Sequence, residues 1–150
     1  MVSETIRKTK GYKSIQVDFL GVRTLDEFIQ RIIKAITSSK SSDRFLSKAM
    51  KILTSLRPQI SFDPNTNLPT LSLNPIKEIG PGSLEEVFDV ISLLNKSGKI
   101  VVVFDEFQDI LNLENSNSVM AILRSKIQYQ GNIAYIFAGS IRHKMSQIFT

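Results

Sequence analysis

Residues 100 to 104 read Ile-Val-Val-Val-Phe and run straight into Asp105-Glu106. A short, mostly β-branched apolar run of this kind matches a strand buried on both faces, as in a parallel sheet covered by helices. The two carboxylates that follow are costly to desolvate, so they must meet water, a cation or a hydrogen-bond donor. The junction is either the start of a solvated loop or a strand end that opens onto a polar site.

The flanking segments supply the rest of such a fold. Ser14 to Leu20 alternates Ile15, Val17 and Phe19 with Gln16 and Asp18, which predicts a strand. Thr24 and Glu27 form a capping-box signature, followed at helical spacing by Leu25, Phe28, Ile29, Ile32, Ile33 and Ile36. A second helix is predicted over Asp43 to Leu56, burying Phe45, Leu46, Ala49, Met50 and Leu53 and stopped by Pro58. Residues 59–74 alternate around Pro64-Asn65-Thr66-Asn67 and predict an inserted β-hairpin. Ser83 and Glu86 resemble a second capping box, opening a helix that buries Leu84, Val87, Phe88, Ile91 and Leu94 and ends at Gly98. A helix over Ser118 to Tyr129 turns Met120, Ile122, Leu123 and Ile127 inward, a strand covers Ile133 to Ala138, and a last helical piece carries Ile141, Met145 and Ile148. Glu4 to Lys10 reads as the end of a further helix, with Gly11 as its stop. The whole order predicts one α/β domain, three-layered, with a mainly parallel sheet.

Composition narrows the function classes. Hydrophobic residues make up 42% and charged residues 22% of the 150, as in globular domains. No apolar run approaches the roughly 20 residues of a membrane helix, and no signal-peptide core is present. The absence of cysteine removes disulfides, zinc ribbons and thiol nucleophiles, and fits a reducing, cytoplasmic setting. A single histidine, His143, excludes a multi-histidine metal site within the chain and has no sequence-near triad partners. The net charge of +5 reads first as a soluble basic surface; weak, salt-sensitive nucleic-acid binding is its functional counterpart.

In parallel α/β sheets, chemistry gathers beyond the carboxyl ends of the strands. That rule selects Asp18, Asp105 with Glu106, and Ser140. Adjacent carboxylates at a strand end can divide two tasks in phosphoryl transfer: one holds a hydrated magnesium ion, and the other polarises the attacking water. Ser140 can bond that water or a γ-phosphate, or cap the following helix. Asp18 reads as a loop cap, Gln108 and Asp109 as water-orienting or turn residues, and Arg142 as a phosphate contact or a solvated helix residue. A metal-dependent hydrolase built on Asp18, Asp105 and Glu106 is a third possibility, lacking the further carboxylates such sites recruit. None of the seven glycines opens a G-x-x-x-x-G-K-[ST] phosphate loop.

Lys99 to Ile110, KIVVVFDEFQDI, resembles the Walker B segment of the archaeal-type ATPases, P-loop proteins of the AAA+/STAND group. The likeness continues in GYKSIQVDFLGVRTLDEF over 11–28, in the hairpin over 57–74, and in AYIFAGSIRHKMSQIF over 134–149. It implies that Asp105 coordinates magnesium, Glu106 is the catalytic base and Ser140 is a sensor of the γ-phosphate, with ATP and Mg2+ as cofactors. It also implies that the family's first strand and P-loop would precede this segment, so that the chain corresponds to the middle of an ATPase domain, its second to fourth strands, and is inactive alone. In the family the first strand lies between the fourth and fifth. The expected partners are therefore a segment carrying the P-loop or a second copy, since Ile133 to Ala138 would otherwise be an uncovered apolar edge. A non-catalytic protein- or nucleic-acid-binding module on the same fold is the alternative.

Overall fold

The computed structural model describes residues 11–38, 43–66, 69–75, 79–96 and 98–149. In chain order its elements are β1 (Lys13–Asp18), α1 (Leu25–Ser38), α2 (Asp43–Ile52), β2 (Pro58–Phe62), β3 (Pro69–Leu73), α3 (Pro81–Lys96), β4 (Ile100–Asp105), a 3-10 turn (Phe107–Asn112), α4 (Ser116–Tyr129), β5 (Ala134–Phe137) and α5 (Arg142–Phe149). The expected helix over Glu4 to Lys10 lies outside the described residues. No helix among them is long and apolar enough to cross a membrane.

β4 is the centre of a three-stranded parallel sheet, in the order β1-β4-β5. Its five apolar residues are all buried, as their unbroken run predicts. The register aligns Ile15 with Val102 and Val17 with Phe104 on one side, and Val102 with Tyr135 and Phe104 with Phe137 on the other. Paired residues share a sheet face, and this face joins the helices in one core. Phe19 stacks on Phe28 of α1 at 4.3 Å between centroids, while Phe107 meets Phe137 at 4.6 Å. Such aromatic pairs contribute about 0.5–1.5 kcal/mol each beyond the area they bury. Val101 and Val103, on the opposite face, stand outside that core cluster. The described residues are mixed α/β around a three-stranded parallel sheet, and Val101 and Val103 on that opposite face are buried as well.

The hairpin forms as expected, with β2 and β3 antiparallel in a separate two-stranded sheet. Its turn begins with Asp63, whose Oδ1 accepts the backbone N–H groups of Asn65 at 2.8 Å and Thr66 at 3.2 Å. α2 stops at Ile52, four residues before the expected Leu56. The chain continues through turns in which Leu53 and Leu56 remain buried, whereas Met50, expected inside, is 38% exposed.

The two capping signatures differ in outcome. At α1, Thr24 Oγ1 accepts the Glu27 N–H at 3.1 Å, and Glu27 Oε2 accepts the Arg23 N–H at 3.0 Å. At α3 the helix begins at Pro81, so Ser83 lies inside it and is buried. Glu86 accepts hydrogen bonds from the Ser55 N–H and hydroxyl rather than reaching back to its own helix start. The pair is a tertiary tie between α3 and the turn after α2. In α4, Val119 is the most buried residue; Met120, Ile122 and Ile127 are half-buried and pack against the core.

A buried polar group sets the angle of α4 against α3 and β5. Gln130 Nε2 donates to the Phe88 carbonyl at 2.8 Å and to Ser92 Oγ at 2.7 Å, while its Oε1 accepts the Tyr135 hydroxyl. A buried amide so satisfied costs little to keep and much to break.

Candidate functional site

The carboxyl ends of the three strands lie side by side because the strands are parallel and in register. Asp18 stands opposite Asp105. Beyond the formal strands, Ala138 N–H donates to the Phe104 carbonyl at 2.8 Å and Phe107 N–H to the Ala138 carbonyl at 2.9 Å. These two bonds carry the Gly139-Ser140 loop up to the residue that follows Asp105.

That residue, Glu106, has a left-handed backbone with φ 49° and ψ 38°. A non-glycine residue there costs on the order of 1–2 kcal/mol. Among the described residues the other non-glycine residue with positive φ is Arg57, whose N–H bonds the Leu53 carbonyl in the winding-down of α2. Glu106 follows a strand instead, and its conformation reverses the chain so that the 3-10 turn packs back under β5.

The Glu106 carboxylate is held at this corner by two side chains. Ser140 Oγ donates to Oε2 at 2.9 Å, and Gln108 Nε2 donates to the same oxygen. The bonds from Gln108 and then Ser140 outweigh the cost of desolvation and hold the Glu106 carboxyl below its ordinary value. At neutral pH it is ionised and accepts hydrogen bonds. Asp105 is half-buried; its Oδ1 accepts the Glu106 N–H at 3.0 Å, the one side-chain bond of Asp105 among the described residues.

The remaining acidic residues at this end are occupied by backbone. Asp18 Oδ1 accepts the Leu20 N–H at 2.8 Å, the loop-capping role expected of it. Asp109 Oδ2 accepts the Gly21 N–H at 2.7 Å, across 88 residues of sequence. Gly21 has φ 70°, a conformation that glycine adopts without strain. Arg142 and His143 are exposed in the first turn of α5. Ser140 does not cap that helix: α5 begins at Arg142, and the Ser140 hydroxyl is on Glu106.

Among the described residues no three acidic or histidine side chains gather to hold a metal. The hydrolase reading on Asp18, Asp105 and Glu106 therefore lacks its ligand cluster. A magnesium ion bound with a nucleotide has a different demand, one or two carboxylates with the remaining positions filled by water and phosphate oxygens. Asp105, with one oxygen uncommitted at a strand end, fits that donor set. A cleft of about 460 Å3 lies at the starts of α1, α3 and α4, lined among others by Arg23, Asp26, Pro81 and Asn115. Asp105, Glu106 and Ser140 do not line it.

The sequence offers Gln108 as a water-orienting or turn residue; it lies in the 3-10 turn, and its side chain bonds Glu106, a partner the sequence does not show. The detectable signal was its place between Phe107 and Ile110, both buried, which drags a polar amide inward. No protein-family model matches the sequence, and no curated protein matches it.

Proposed function

We propose that this chain is the central part of an ATP-hydrolysing domain of the P-loop kind, with Glu106 as general base, Asp105 as magnesium ligand and Ser140 as the residue that senses the γ-phosphate. The observation that carries the reading is Glu106 itself. A strained backbone sets an ionised carboxylate at the carboxyl edge of a parallel sheet, one oxygen fixed by Ser140 and Gln108. Strain of this kind is concentrated at functional sites. The fixed oxygen Oε2 orients the group; Oε1 is left to take a proton from water. When bound, magnesium supplies charge neutralisation at the phosphates.

The chain alone is expected to show negligible ATP turnover, because its 150 residues contain no G-x-x-x-x-G-K-[ST] segment. Combined with a polypeptide that carries such a segment, it is expected to hydrolyse ATP, and Glu106→Gln to stop turnover while leaving nucleotide binding intact. Turnover that survives Glu106→Gln would sink the assignment of the base.

A second reading, a protein-interaction module, is supported by β5. Its outer edge pairs with no strand among the described residues, and Ala-Tyr-Ile-Phe offers neither charge nor proline to discourage another strand. Self-association that grows with concentration in analytical ultracentrifugation supports it; a monomer at high concentration removes it. A nucleic-acid module predicts salt-dependent affinity for DNA or RNA, and no affinity at low salt excludes it.

A further inference from the structure

Both donors to Glu106 Oε2 depend on one loop. Ser140 Oγ belongs to it directly. Gln108 depends on it through packing. The Gln108 side chain is 2% exposed and occupies the space where a Cβ on residue 139 would stand. The same Cβ would come within 2.7 Å of Met145 Sδ in α5. Glycine at 139 is thus what lets the amide lie flat against the loop. Gln108 Oε1 has no hydrogen-bond partner among the described residues, so the amide is held by its single donor bond to Glu106 and by the wall that Gly139 provides. A buried acceptor left unpaired is unfavourable. It persists where packing leaves the group no alternative.

We infer that Gln108 is a positioning residue that makes the orientation of the Glu106 carboxylate conditional on the place of the Gly139-Ser140 loop. The inference rests on the reading of Glu106 as the base. An outward movement of the loop withdraws Ser140 Oγ and at the same time opens space beside Gly139 into which the amide relaxes. An inward movement presses on Gln108 and drives it off the carboxylate. Outward movement takes both donors from Oε2 and inward movement takes Gln108, so in either direction the carboxylate loses its fixed orientation. α5 starts two residues beyond the loop, so a ligand or partner that displaces the start of α5 reaches the base by this route.

The test is the side-chain amide signal of Gln108 in the 15N-labelled full chain, recorded by NMR without nucleotide. The intact protein is expected to show this signal displaced from free glutamine amides and slow to exchange with solvent. Glu106→Ala removes the acceptor and returns it to the free position. Gly139→Ala is expected to do the same although the acceptor remains, whereas Ser140→Ala leaves it displaced. A Gln108 signal unchanged by Gly139→Ala in a folded chain overturns the inference. If Gly139→Ala does not fold, Gln108→Asn serves instead, since the shorter side chain cannot both meet Gly139 and reach Glu106. It is expected to shift the backbone amides of Glu106 and Ser140, and unchanged amides there overturn the inference equally. The measurement involves no hydrolysis, so the two ideas fail separately: a signal that responds as expected, in a protein whose turnover survives Glu106→Gln, keeps the coupling and loses the base.

Discussion

Two groups of acidic residues share the carboxyl edge of the sheet, and their partners differ in kind. On the β1 side, Asp18 and Asp109 accept backbone N–H groups of Leu20 and Gly21 and so fix the path of the loop between β1 and α1. On the β5 side, Glu106 accepts from a hydroxyl and a side-chain amide, on a backbone bent into the left-handed region. Backbone partners make a carboxylate part of the chain's own geometry. Side-chain partners leave it able to let go. Under the proposed function, the first group is structural and Glu106 is the acid that does chemistry.

The largest effect should come from Glu106→Gln. In the P-loop-complemented protein it is expected to lower turnover by about 10²–10⁴, the usual reach of a general base. Folding should survive, because glutamine keeps an acceptor for Ser140; urea titration beside a phosphate-release assay checks both. Asp109→Ala should invert that result. Loss of a charge-assisted bond to Gly21 is expected to cost about 1.5–3 kcal/mol in urea unfolding, with the Gly21 amide losing its protection from hydrogen exchange. Asp18→Ala acts on a bond two residues away in sequence, and about 0.5–1.5 kcal/mol is expected. Turnover that falls more in Asp109→Ala than in Glu106→Gln would erase the distinction between the two groups.

The smallest effect concerns pH. Hydrogen bonds from Gln108 and Ser140 hold the Glu106 carboxyl below its ordinary 4.5. A carboxyl lowered in the folded state contributes stability that is fully present above the unfolded value and is lost as pH falls through the folded one. The stability difference between the natural protein and Glu106→Gln should therefore be constant above pH 4.5 and change only below it. A difference that changes between pH 6 and 8 would contradict this assignment.

Much of this arrangement was legible in the residues. The β-branched run of β4, the alternation in β1 and the apolar spacing of α1 each specify an element by local periodicity, and all three formed. Glu106 and Ser140 were selected by the rule about strand ends, which depends only on strand direction. What escaped depended on distance in sequence. Ser83 and Glu86 have capping spacing, yet their partner Ser55 lies about thirty residues away and takes the hydrogen bonds. Ser140 is legible as a strand-end hydroxyl for the site or a helix cap, but no local pattern gives it Glu106, 34 residues earlier, as its partner. Gly139 carries no pattern at all; only the buried Gln108 side chain explains it.

The register of β1 on β4 also governs how the protein is made. Lys13 pairs with Ile100 and Asp18 with Asp105, so the first described strand has no sheet partner until the chain has grown by nearly ninety residues. At 5–20 residues per second, that interval is on the order of ten seconds on the ribosome. Throughout it Ile15, Val17 and Phe19, each almost fully buried in the finished protein, lack their sheet partner and have α1 to lie against. Early synthesis therefore produces an amphipathic strand and helix that wait for their sheet, and this stretch is where a chaperone would find its longest window of access.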